Sequence, residues 1–192
     1  MKLYIKNACV QQKPGLMVYN DVGENKYSVS IEHSVLGMKL DLYNASGKRV
    51  SKIRQHGFSF NKTYNIAVGN KTLKLILKVE EDRISAFIKG QPILFVGDVL
   101  KKEFSLLNEN KSLIMKHKYN LKNYYELDVF QEDFELLSIC VALCIETLLF
   151  FADKKLQKDE NFFNKYILSN KKVLSPIQEN FSVGTEKAKN DD

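Results

Sequence analysis

The stretch Phe134 to Ala152, FELLSICVALCIETLLFFA, decides how this chain is read. Only Glu135, Ser138, Glu146 and Thr147 interrupt it with polar side chains. Wound as a helix it is apolar almost all the way round, so it must be surrounded by protein or by lipid. Glu132 and Asp133 precede it and Lys154 and Lys155 follow it, the charge order that a helix dipole favours. One line is less apolar: Glu135, Ser138, Ala142, Glu146, Leu149 and Asp153 recur near one face. A helix plugging a barrel would turn that line toward an open seam or toward polar groups of one strand.

Everything before the helix reads as strands and turns. Leu3 and Ile5 alternate with Lys2, Tyr4 and Lys6; Met38, Leu40 and Leu42 alternate with Lys39, Asp41 and Tyr43. Tyr64, Ile66 and Val68 alternate with Asn65 and Ala67. Period-two alternation marks a strand with one buried face. Asn20 to Gly23, Asn44 to Gly47 and Gly69-Asn70 are turn signals between such runs. A strand, a polar turn ending in Lys and a second strand recur loosely from Leu40, Tyr64 and Phe104, as in any antiparallel meander. About twelve strands before one greasy helix predict a mainly β fold, a closed antiparallel barrel around a central hydrophobic C-terminal helix. The barrel is expected over 1–153, with its core helix over 132–153.

A transmembrane span is the rival reading of the helix. Its residues would cover about 28 Å of a hydrocarbon layer roughly 30 Å thick. The Leu, Ile, Val and Phe residues contribute at most about 5 kcal/mol to insertion. An acid near mid-helix costs ~2.5–3.5 kcal/mol, so Glu146 and Glu135 cancel much of that gain. The lysines after the helix would hold their side in the cytoplasm, and MKLYIKNACV offers no signal to carry the strands across. The enclosed helix is therefore the reading adopted.

The chain of 192 residues is long enough for one full domain with a real core. Its net charge is +6, almost all from lysine, with arginine only at Arg49, Arg54 and Arg83. Arginine is the preferred reader of phosphate and guanine, so sequence-specific nucleic-acid binding is not expected. Attraction to an anionic membrane or another polyanion fits better. Lys48, Arg49, Lys52 and Arg54 cluster on one expected strand, and Lys71, Lys74 and Lys78 on another. Side by side they would make a cationic face for an anionic ligand; otherwise they solvate the barrel exterior and guard strand edges.

No catalytic residue, metal site or cofactor is assigned. Cys9, Cys140 and Cys144 are odd in number, with two on the greasy helix, and read as small buried hydrophobes in a reducing compartment. His33, His56 and His117 are far apart and read as three half-exposed histidines. No nucleophile elbow or phosphate-binding glycine loop occurs. Glu146 stands out, because an acid in a packed core must be paired, hydrogen-bonded or protonated. It reads as a structural acid bonded to strand groups at the barrel mouth, or as a switch or ligand contact. A deep polar pocket converging on Glu146 and a histidine would mark an enzyme. The extension over 154–192 holds an amphipathic stretch at 160–169, with Phe162, Phe163, Tyr166, Ile167 and Leu168, suited to a short helix that docks a protein partner. From Glu179 the composition is that of a disordered tail.

The order of several pieces resembles the LURP-one-related family from Met1 to about Asp153. They are MKLYIK, Lys26-Tyr27, Leu36 to Leu40 before the Asn44 turn, Gly47 to Val50, Thr63 to Ile66, Gly69 to Lys71, Tyr124 to Leu127, and the closing helix with Glu146 inside ICVALCIETLL. The resemblance implies a tubby C-terminal-like barrel threaded by its C-terminal helix, with tubby proteins and phospholipid scramblases as relatives on the same fold. Tubby domains bind phosphoinositides and scramblases act at membranes, but no motif for the tubby lipid-binding residues is matched. The chain departs from the family in lacking Trp and in its longer tail. Resemblance and lysine balance together lead to an expected function. This is a non-enzymatic barrel, cytoplasmic or peripheral at a membrane, that binds an anionic ligand such as a phospholipid headgroup. The alternative is a protein-interaction or structural module.

Overall fold

Alternation of side chains sets the two faces of each strand. In β1 (Lys2–Val10) Leu3 and Ile5 are buried, and in β4 (Gly37–Asn44) Met38, Leu40 and Leu42 are buried while Lys39 is exposed. The same rule builds β2 (Lys13–Asn20), β3 (Asn25–Ser34), β5 (Arg49–His56), β6 (Lys62–Val68) and β7 (Lys71–Glu80). It continues through β8 (Arg83–Ile88), β9 (Leu94–Asp98), β10 (Glu103–Leu107), β11 (Leu113–Asn120) and β12 (Tyr124–Val129). The computed structural model describes residues 1–10, 13–34, 37–56, 62–80, 83–98, 102–120 and 124–158.

Each strand pairs antiparallel with the next, and β1 pairs with β12, so the sheet closes into a barrel of twelve strands. Leu3 faces Leu127 and Ile5 faces Tyr125 across the closing seam. The described turns lie at one end of this meander. Three of them use one device: the backbone N–H groups of Glu24, Lys48 and Ser112 donate to the side-chain oxygens of Asn20, Asn44 and Asn108, at 2.7, 2.9 and 2.9 Å. The fourth residue of each turn is left-handed, at Gly23, Gly47 and Lys111 (φ 84°, 76° and 61°). Glycine takes that conformation at no steric cost, which explains the Gly after Asn in two of the three.

A 3-10 turn at Glu132–Phe134 leads into α1 (Glu135–Lys158). Every residue from Leu137 to Thr147 is buried. At 3.6 residues per turn that run covers all directions about the axis. Its partners stand on different walls. Cys140 Sγ lies 3.1 Å from Ser51 Oγ on β5, while Glu146 lies 3.0 Å from His117 on β11, across the ring from β5. Lys26 of β3 pairs with Glu135 at 2.7 Å. The helix is thus enclosed by the sheet. Among the described residues no helix is long and apolar enough to cross a membrane.

One expectation is corrected here. The less apolar line of the helix does not face one strand: Glu135 meets β3 and Glu146 meets β11. The compact barrel unit is Met1–Leu148, and α1 extends to Lys158. Lys154, Lys155 and Lys158 are good helix formers, and no Gly or Pro stops the helix before them. The segment 160–169 and the tail beyond it lie outside the described residues.

Enclosure has chemical consequences. Burial pushes the Cys140 thiol up to about 12 and the Cys144 thiol well above its ordinary range, while Cys9 is exposed. Thiolates are the reactive species. In the native protein one thiol should react quickly with a maleimide, and Cys140 and Cys144 only at the rate of global unfolding; fast labelling of either would contradict an enclosed helix. Burial, then the Glu135 carboxylate, also pushes the Tyr27 phenol up to about 12, and burial pushes Tyr64 up as well. The folded state therefore keeps protons that the unfolded chain releases from about pH 9 upward, so stability is full below that pH and falls as pH rises toward 12. Urea midpoints measured from pH 8 to 11 should decline, and Tyr27→Phe should flatten the decline.

Candidate functional site

The basic residues of the expected face lie on the outer wall of β5 and β7, except Lys48, which sits in the turn before β5. They are not on neighbouring strands. A meander places β6 between them, so Arg54 pairs with Asn65, which pairs with Lys74, and Lys52 pairs with Ala67, which pairs with Thr72. Two strand spacings put the β5 and β7 rows roughly 10 Å apart. A single pocket gripping one phosphate from both strands is not formed; the cations make a spread surface instead.

The arginines of this wall are held internally. Arg54 Nη2 is 3.1 Å from both carboxylate oxygens of Asp41, and its Nη1 donates to the carbonyls of Leu40 and Ile53. Arg49 Nη1 leans on the same carboxylate at 3.8 Å. A forked, partly buried pair of this kind orders the side chain and leaves little charge for a ligand. Lys48, Lys52, Lys71, Lys74 and Lys78 are all exposed. None of the five has a carboxylate partner among the described residues. Lys48 and Lys71 sit at the turn end, and Lys52, Lys74 and Lys78 lie along the wall.

Glu146 sits inside the barrel, and its partner is a residue that sequence reasoning placed wrongly. His117 is not half-exposed; it is fully buried. Its Nε2 lies 3.0 Å from Glu146 Oε1. The two groups are in contact without an aligned hydrogen bond. The imidazole stacks on Phe104 with centroids 4.0 Å apart and on Tyr125 at 5.4 Å. Phe95 continues the aromatic cluster beside Phe104. Gly97, paired with Phe104, leaves the room: a Cβ there would stand 2.7 Å from the Phe95 ring. The signal for His117 was present in IMKHKYN, where Lys116 and Lys118 point out and the residue between them points in. With His117 fully shielded and Glu146 6% exposed, the pair belongs to the packed core and does not floor a cleft.

A carboxylate at this depth depends on its partner. His117→Phe alone should lower unfolding free energy by ~3–5 kcal/mol, because it strands the acid. His117→Phe combined with Glu146→Leu should recover most of that loss in urea unfolding. A double variant as weak as the sum of the singles would show the two groups to be uncoupled.

The profile of the LURP-one-related family matches residues 1–146. This chain belongs to that family. It is 24% identical over 153 residues to the uncharacterized protein YxjI of Bacillus subtilis (strain 168), covering 78% of this chain and 94% of that protein. A protein of Arabidopsis thaliana solved by X-ray crystallography matches with a TM-score of 0.50 at 12% identity, over 76% of this chain and 91% of its own. That likeness shows the same fold.

Proposed function

We propose that this LURP-one-related barrel is a non-enzymatic binder of anionic phospholipid headgroups, acting at a membrane surface through its β5–β7 wall. One observation carries the reading. Asp41 holds both arginines of the wall, while Lys48, Lys52, Lys71, Lys74 and Lys78 project from it without carboxylate partners among the described residues. Lysines are flexible point charges, suited to a diffuse layer of phosphates more than to a shaped anion pocket. Each lysine near an anionic surface contributes about 1 kcal/mol. A net charge of +6 adds long-range attraction of the same sign.

Co-sedimentation with vesicles tests it. Binding should be strong to vesicles rich in phosphatidylserine, weak to pure phosphatidylcholine, and reduced by salt. Lys52→Glu, Lys74→Glu and Lys78→Glu together should weaken it by about 100-fold or more. Equal binding to both vesicle types, or binding to neither, would overturn the headgroup reading in favour of a protein-interaction module.

A further inference from the structure

The outer wall beyond β7 carries an apolar row. Ile76 pairs with Phe87, Phe87 with Leu94, and Leu94 with Leu107, so these four stand side by side across β7 to β10. Their strand neighbours Leu75, Leu77, Ile88, Phe95 and Leu106 point into the core, which turns the row outward. Phe87 and Leu94 are 55% and 51% exposed, and Val96, two residues along β9, is 53% exposed. Ile76 and Phe87 also line a shallow groove with Lys78 and Ser85.

Four lysines frame the row. Lys74 and Lys78 flank Ile76 on β7; Lys89 donates its backbone N–H to the Lys74 carbonyl; Lys116 pairs with Ser105, which pairs with Val96. All four are exposed, and none has a carboxylate partner among the described residues. Single exposed apolar side chains are ordinary on a protein surface, whereas a contiguous row framed by these lysines, with the Asp98–Glu103 pair bordering it beyond Val96, marks a contact face. The rim also selects the partner. A second copy of the chain would bring four further lysines to a face that already holds four, against one Asp98–Glu103 pair. The partner must be apolar at the centre and anionic around it, and the interface of an anionic bilayer has both properties at the right depths.

We infer that the β7–β10 wall is a membrane-seating face: Phe87, Leu94 and Val96 enter the acyl boundary while Lys74, Lys78, Lys89 and Lys116 remain at the phosphates. The inference rests on the headgroup reading for its anionic lipid, and it moves the centre of contact from β5 toward β9. It also adds a component that salt does not screen.

The chain contains no tryptophan, so a single introduced Trp reports on one site. Phe87→Trp should shift its emission to the blue and be quenched by brominated acyl chains in phosphatidylserine-containing vesicles. Tyr4→Trp, on the outer face of β1, should show neither effect. Phe87→Ser with Leu94→Ser should weaken vesicle binding about tenfold or more and abolish the part that resists salt, with unchanged thermal unfolding. Binding that needs the lysines but ignores both serines, with Phe87→Trp unquenched, would overturn the inference and leave the headgroup reading standing. No binding to any vesicle would overturn both. A dimer in analytical ultracentrifugation that the serine pair dissolves would assign the face to a second copy and overturn the inference.

Discussion

A closed sheet of twelve strands leaves a lumen wider than strand side chains can fill, and α1 is what fills it. The two elements require each other. A helix apolar on every side has no stable place in water, and a barrel of this girth has no stable empty interior. From this follows the placement of the polar groups. Polar side chains that enter the dry lumen meet counterparts at two places on the wall, Ser51 for Cys140 and His117 for Glu146, while Ser138 is buried without one. Such pairs are specific in register, because sliding the helix by one turn would strand all of them.

Filling the lumen with the chain's own helix has a functional corollary. The interior offers little to a ligand, since its acid and its imidazole are occupied with one another among packed aromatics. The contacts proposed above lie on the outside. There the two kinds of side chain are sorted by strand: cations on β5 to β7, and apolar groups rimmed by lysine on β7 to β10.

Much of this was legible from residue order. The greasy run after Phe134 needs an enclosure, and alternation in stretches such as Met38 to Leu42 gives strands with one buried face. The family resemblance pointed to the same barrel. What escaped depends on partners across the sheet. That β6 separates the two basic strands is a property of the meander, and that Asp41 immobilises Arg54 is a property of register. His117 was overlooked because its lysine neighbours suggest a wet segment, although period two turns it inward. Phe87, Leu94 and Val96 look like core residues in a linear reading. Only the burial of Ile88 and Phe95 beside them shows that they point outward.

The seam between β1 and β12 sets the order of assembly. Residues near the two ends of the barrel unit, such as Leu3 and Leu127, must find one another, and the helix that occupies the interior is made after all twelve strands. Before α1 emerges during synthesis, the sheet is a curled ribbon with a bare apolar concavity and two unsatisfied edges. Non-local pairings of this kind fold slowly as a class, and the last-made helix is the piece that closes the apolar concavity.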